Sequence, residues 1–209
     1  MKRVFALFLA LLMPALPAAA EPVVVELFAS QNCPACPRAF KTLKSAGEQE
    51  DILVLTWSVD YWDYLAENDP MAMPESSERQ SAYVERFELR GPYTPQTVFD
   101  GAVECPGNKR RNVKKWIDQR RESEPFPVTL EASDSGVTIS GDLTLPRDIL
   151  LVHYLSDYKG DMPNPVVKLE TLGQWSGGEA TFETNCEADC AVLVQETGTG
   201  EILGVKVMP

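Results

Sequence analysis

The stretch Cys33-Pro34-Ala35-Cys36 constrains what this chain can fold into more than any other. It follows directly on an apolar run, Val23-Val24-Val25-Glu26-Leu27-Phe28-Ala29, and precedes a segment of helical character, residues 38–46, closed by Gly47. A strand that delivers Cys-x-x-Cys to the start of a helix carries a defined chemistry. Unpaired N–H groups and the positive end of the helix dipole favour a thiolate at the first sulfur, below the free thiol pKa of about 8.5. Cys36, one turn on, can resolve a mixed disulfide formed at Cys33. Cys33 is therefore the candidate nucleophile and Cys36 the resolving thiol. Two plainer readings stand beside this one. Half a zinc site needs further ligands, and the chain offers only Cys105, Cys186, Cys190 and its single histidine, His153. A purely structural disulfide closing so short a loop gains little entropy from closure.

The start of the chain bears on the redox compartment. Met1-Lys2-Arg3, an apolar block over 4–16 and Pro17-Ala18-Ala19-Ala20 have the pattern of a secretory signal cleaved after Ala20. The apolar block is too short to span a bilayer. The expected mature protein, from residue 21, is exported, periplasmic or secreted, with no membrane span. Its formal charge of −12 becomes −14 without Lys2 and Arg3, which argues against nucleic acid as a partner. Five cysteines suit an oxidising compartment, and the odd count leaves one outside simple pairing.

The run 23–29 reads as a strand buried on both faces, and so does 52–59, Ile-Leu-Val-Leu-Thr-Trp-Ser-Val. With a helix between them they make a right-handed βαβ unit. Pro34 suits a first helical position, whereas Pro37 would cost that helix a hydrogen bond, so the regular helix is expected to start near Pro37. Ligands of open α/β sheets gather at the carboxyl ends of strands. Asp60, Tyr61 and Trp62 follow the second strand and should border the cysteines, Asp60 being a candidate acid/base group by location. Ser76-Ser77-Glu78 is expected to cap a helix running to about Leu89. Asp100-Gly101 is a hairpin turn signal, and a basic helix is expected over 109–121. Glu124-Pro125-Phe126-Pro127 marks a boundary, after which 128–132 and 136–143 alternate with period two, 149–155 reads as a buried strand, and 166–172, 180–184, 191–195 and 202–207 complete seven short strands between turn residues.

At Thr94-Pro95 the segment Arg90-Gly91-Pro92-Tyr93-Thr94-Pro95-Gln96-Thr97-Val98-Phe99-Asp100-Gly101 resembles the part of thioredoxin-like proteins in which a cis-proline faces the Cys-x-x-Cys. The resemblance implies that Pro95 is cis and that the Thr94 backbone positions an extended substrate. More narrowly, the chain is similar to an exported group known as domain of unknown function family 1223. The similarity rests on Val-Val-Glu-Leu-Phe-Ala-Ser-Gln-Asn-Cys (24–33), Val-Asp-Tyr-Trp-Asp (59–63), Tyr-Thr-Pro-Gln (93–96) and Ala-Val-Leu-Val-Gln-Glu (191–196). The buried acid that many thioredoxins carry six residues before the first cysteine is Leu27 here. Glu26, one residue off, should face the other side of the strand.

The expected architecture is an α/β thioredoxin-like domain over 21–124, a central mixed sheet flanked by helices. A small antiparallel β-sandwich domain over 125–209 is expected to follow. The expected activity is thiol–disulfide exchange with a protein or small-thiol client and a redox partner. Cys33 and Cys36 would be catalytic, Thr94 and Pro95 would position substrate, and Asp60, Glu26, Tyr61 and Trp62 would be candidates for acid/base or rim roles. No cofactor beyond the redox-active disulfide is required. Cys105 is a third redox thiol or a buried core cysteine. Cys186 and Cys190 close a tiny loop and read as a structural disulfide, with a metal or secondary redox site as alternatives. Met71 and Met73 beside two thiols raise a rival function, a copper(I) metallochaperone using Cys33, Cys36 and both thioethers. A non-catalytic binding module with a structural Cys33–Cys36 disulfide is the third.

Overall fold

The structure, a computed structural model, describes residues 21–208 except 134, 187 and 188. The expected export signal, residues 1–20, lies outside the described residues.

Strand β1 (Val23–Ala29) leads through Cys33 and Cys36 into helix α1 (Pro37–Ala46), which begins at the second proline and not at Pro34. Strand β2 (Ile52–Ser58) returns parallel to β1. Helix α2 (Pro74–Arg86) starts with Pro74 in its first turn, two residues before the expected serine cap. Strands β3 (Gln96–Phe99) and β4 (Val103–Pro106) form a hairpin, and helix α3 (Arg110–Arg121) follows. The hairpin turn is type I′, with Asp100 and Gly101 at φ 47° and 64°. A Cβ at Gly101 would lie 2.2 Å from the Gly200 carbonyl oxygen, so glycine there serves both the turn and its packing.

The first sheet has the order β2-β1-β3-β4, β3 and β4 running antiparallel. The remaining strands are β5 (Val128–Ser133), β6 (Gly136–Gly141), β7 (Arg147–Tyr154), β8 (Val166–Trp175), β9 (Gly178–Glu183), β10 (Asp189–Glu196) and β11 (Ile202–Val207). They make two antiparallel sheets, β11-β10-β7-β8 and β5-β6-β9.

Strand alternation sorts the side chains into layers. Val25, Leu27 and Ala29 of β1 pack on Ala39, Phe40 and Leu43 of α1 and on Val113 and Ile117 of α3. Val24 and Phe28 point the other way, onto Leu150, Val152, Leu193 and Val205 of the second sheet. The far face of that sheet, Ile149, Leu151, Val192 and Val194, packs on Val128, Leu130, Val137 and Ile139 of the third. The order is thus helices, mixed sheet, antiparallel sheet, antiparallel sheet.

This corrects the expected fold class. The thioredoxin-like arrangement of a central mixed sheet flanked by helices does not hold. The first sheet has helices on one face, while its other face is covered largely by a second sheet. Of the eight strand pairings among the described residues, only β1–β2 is parallel. The physical reason lies in β1 and β2. A continuous apolar run reports that both faces are covered, but not whether a helix or a sheet covers them. Helix α2, which ought to supply apolar cover, buries Ser76, Arg79, Gln80 and Tyr83 instead.

Candidate functional site

Cys33 and Cys36 are joined in a disulfide with Cα atoms 5.4 Å apart. Cys36 is the N-cap of α1, and its carbonyl accepts from the Phe40 N–H at 3.0 Å. Both sulfur residues are nearly inaccessible, at 1% and 0%, whereas Pro34 and Ala35 between them are exposed. The surface at this point therefore presents the Pro34-Ala35 turn and not the sulfurs.

The loop that delivers Cys33 is held from below by Asp69. This buried carboxylate accepts from the Gln31 N–H (2.7 Å), the Ser30 hydroxyl (3.1 Å), the Gln31 side-chain amide (3.1 Å), the Ser58 hydroxyl (2.7 Å) and the Met71 N–H (2.9 Å). Burial disfavours its charge, but those donors outweigh burial and hold its pKa below the usual carboxylate range. Asn32 is tied in turn to the Glu67 carbonyl at 2.8 Å and to Asp63 at 3.3 Å. Three consecutive residues before Cys33 are thus fixed by side chains, although no regular secondary structure holds them.

From the other side comes the Thr94-Pro95 segment, whose peptide bond is cis. The Thr94 hydroxyl donates to Cys33 Sγ at 3.2 Å and accepts from Trp62 Nε1 at 2.7 Å. Trp62 stacks on Tyr64 with centroids 6.2 Å apart, and Tyr64 is 77% exposed. An aromatic ridge, Trp62-Tyr64, therefore stands beside the disulfide. Tyr61 lies behind it, its hydroxyl donating to Gln80 Oε1 at 3.2 Å, and burial pushes its phenol pKa up. The Gln80 amide also donates to the Tyr93 carbonyl (2.8 Å) and to Gln96 Oε1 (3.0 Å), joining α2 to both flanks of the cis bond.

The structure thus brings Cys33, Cys36, Thr94, Pro95, Trp62 and Tyr61 together. It does not bring Glu26 or Asp60 to the sulfurs. Glu26 faces the opposite side of β1, fully buried, in a pair with Arg79 (2.6 and 3.1 Å) and a hydrogen bond from Tyr83 (2.5 Å). Asp60 is exposed and accepts from the Ser77 hydroxyl at 2.9 Å.

Cys105 is a free, buried thiol in the cluster that contains Cys33 and Cys36, and burial, with Glu104 beside it, pushes its pKa up to about 12. Met71 packs against that same cluster, but Met73 packs against the cluster across the sheet, so the two thioethers are not presented together. Cys186 and Cys190 form a second disulfide, with Cα atoms 5.9 Å apart, at the start of β10. His153 is a buried strand residue paired with Glu170 at 2.7 Å. No group of three or more metal-binding side chains occurs among the described residues. No helix among them is long and apolar enough to cross a membrane.

Sequence reasoning missed Asp69 and Gln80. Asp69-Pro70 carries a turn signal, which says nothing of the five donors gathered on the carboxylate. Gln80 sits in a polar helix whose buried face has no apolar periodicity to reveal it.

A Cys-x-x-Cys disulfide at a helix start, braced by a threonine next to a cis-proline, defines a disulfide-bearing protein of layered, mostly antiparallel sheets with helices on the first. The chain belongs to the family described as protein of unknown function (DUF1223), which matches residues 24–197. It is also similar to a crystal structure of a structural-genomics target protein from Agrobacterium tumefaciens. The two share 27% sequence identity and a TM-score of 0.77, over 91% of this chain and 95% of that one. No curated protein matches the sequence.

Proposed function

We propose that this protein is an exported thiol–disulfide oxidoreductase acting through Cys33 and Cys36. The hydrogen bond from the Thr94 hydroxyl to Cys33 Sγ carries the reading. It marks Cys33 as the sulfur whose thiolate is stabilised once the disulfide opens, because a donor already aimed at sulfur strengthens when the sulfur becomes charged. In the reductive direction the Cys33 thiolate attacks a client disulfide, forming a mixed disulfide and expelling one client thiolate. Cys36, losing its proton, attacks Cys33 Sγ, releases the second client thiolate and leaves the Cys33–Cys36 disulfide. In the oxidative direction a client thiolate attacks Cys33 Sγ and expels Cys36, and a second client thiolate then displaces Cys33. Electrons balance in both: one disulfide is lost as the other forms. The immobilised 30–32 loop and the exposed Pro34-Ala35 turn support an approach over that turn, with the Trp62-Tyr64 ridge alongside.

The test replaces Cys36 with Ala and looks in the exporting cell for a mixed disulfide trapped on Cys33. Covalent partners lost on reduction, and absent from the Cys33→Ser variant, are expected. The reading fails if nothing is trapped and the purified wild-type protein neither reduces nor oxidises a model disulfide.

A further inference from the structure

Across the first sheet from the disulfide lies a second feature that disulfide exchange does not use. A cleft of about 320 Å³ opens between α2, β7, β8 and the β10–β11 turn. That places it at the small end of the range that ligand pockets occupy, roughly 300–1,000 Å³. Its floor holds Arg79, whose side chain is only 4% exposed. The guanidinium donates through Nε to Glu26, and through Nη2 to Glu26 and Gln195 Oε1, the last at 2.9 Å. Nη2 also reaches the Tyr83 hydroxyl at 3.4 Å, whereas Nη1 has no hydrogen bond among the described residues, so its N–H groups are what Arg79 can offer to the cleft it lines. A nearly buried guanidinium fork with one prong unoccupied calls for an acceptor, and a carboxylate is the acceptor it fits best.

The rim has the opposite character. Glu75 and Glu78 are three residues apart on one face of α2, and Asp148 of β7 stands across from them. Glu75 and Glu78 are exposed and make no hydrogen bond among the described residues. Since Glu26 already balances Arg79, the cleft is net negative and repels a simple anion such as phosphate. Leu150 and Leu169 supply an apolar wall between floor and rim. Thr199, a β-branched residue held at φ 62°, closes one side, a backbone conformation that needs support from its surroundings.

A donor below, an aliphatic wall and three carboxylates above describe one ligand class. We propose that this cleft binds a free cationic amino acid, its carboxylate on Arg79 Nη1 and its side-chain ammonium among Glu75, Glu78 and Asp148. A diamine would offer the guanidinium no acceptor. A simple carboxylic acid would leave the acidic rim without a counter-charge.

The probe is L-lysine, titrated calorimetrically into the oxidised mature protein at neutral pH and low salt. Cadaverine, which lacks the carboxylate, and hexanoate, which lacks the ammonium, serve as controls. Saturable binding of lysine is expected, weakened at least about tenfold for either control, as befits the loss of a charged hydrogen-bonding group. The double variant Glu75→Gln/Glu78→Gln should weaken lysine binding by at least about tenfold and leave the unfolding midpoint in place, since neither side chain is bonded to the fold. Arg79→Lys is the direct test of the floor, but it disturbs a buried ion pair and is read only if it folds; the rim variant decides without it. No saturable binding of lysine up to about 10 mM would overturn the proposal. So would cadaverine binding as tightly as lysine, or a rim variant that binds lysine unchanged.

Discussion

The Ser58 hydroxyl donates to Asp69 Oδ2 at 2.7 Å, joining the end of β2 to a carboxylate that also anchors the loop before Cys33. Both residues are buried, so the bond has no water to replace it. Asp69→Ala would leave the Ser58 hydroxyl only a 3.5 Å contact to the Ala29 carbonyl and would unpair the partly buried N–H groups of Gln31 and Met71. An unsatisfied buried group costs about 1–3 kcal/mol and a partly buried one less, so a loss of about 1–3 kcal/mol is expected in urea unfolding. The same carboxylate makes stability depend on acid. Its folded pKa lies below its unfolded value of about 3.9, so its contribution is full above that value and is lost as pH falls through the folded pKa. Asp69→Asn should flatten the fall in stability measured below about pH 4 relative to wild type.

Glu26 presents a buried carboxylate with a different task. Its ion pair with Arg79 is buried between the first and second sheets, with Tyr83 and Gln195 completing the network. Removing one partner of a buried pair leaves an uncompensated charge, at a cost of about 3–5 kcal/mol. Glu26→Ala should therefore unfold at markedly lower denaturant. Because the side chain faces away from the sulfurs, the pH profile of Cys33 alkylation in the reduced, folded variant should match wild type. A displaced profile would assign Glu26 an acid/base role at the disulfide.

These two carboxylates show what the sequence reveals and what it hides. The apolar runs of β1 and β2, the Asp100-Gly101 turn, the Pro37 helix start and the alternation of β5 are local patterns, and each is legible. The layer covering the first sheet is not. Val24 and Phe28 require apolar neighbours and are equally well served by a helix or by Leu150 and Leu193, more than a hundred residues later. Asp69 and Arg79 are hidden for a related reason. A buried polar residue is tolerated because of partners far along the chain, and its own neighbours in sequence leave no mark of them. The Cys-x-x-Cys was legible because its chemistry depends on spacing. Its supports were not, because they depend on assembly.

Cys105 shares a core cluster with the Cys33–Cys36 pair, and its reactivity follows from burial. With its pKa pushed up to about 12, almost no thiolate exists at pH 8. In the oxidised native protein, iodoacetamide at pH 8 should leave Cys105 unmodified by mass spectrometry, and urea should make it react fully. A folded pKa above the unfolded value also means stability is full below about pH 8.5 and declines as pH rises toward 12. Cys105→Ala should remove that alkaline decline. Rapid labelling of Cys105 in the folded protein would instead make it a third working thiol.

Thr94 is the residue through which the second flank of the site reaches sulfur. Its hydroxyl donates to Cys33 Sγ while accepting from Trp62 Nε1, so one oxygen couples the nucleophile to the aromatic ridge. Thr94→Val keeps the shape and removes both bonds. Without the donor the Cys33 thiolate loses a charge-assisted hydrogen bond, about 1.5 kcal/mol at the weaker end of such bonds, so its pKa should rise by up to about one unit. Exchange at pH 7, which follows the thiolate fraction, should then slow by up to about tenfold and recover as pH is raised. Thr94→Ser, which restores the hydroxyl, should return both pKa and rate toward wild type. The measurement is the pH dependence of alkylation of the reduced protein, followed at Cys33. If Thr94→Val leaves that profile in place while Thr94→Ser and wild type agree with it, the hydroxyl only holds Trp62, and thiolate stabilisation must come from the α1 terminus alone.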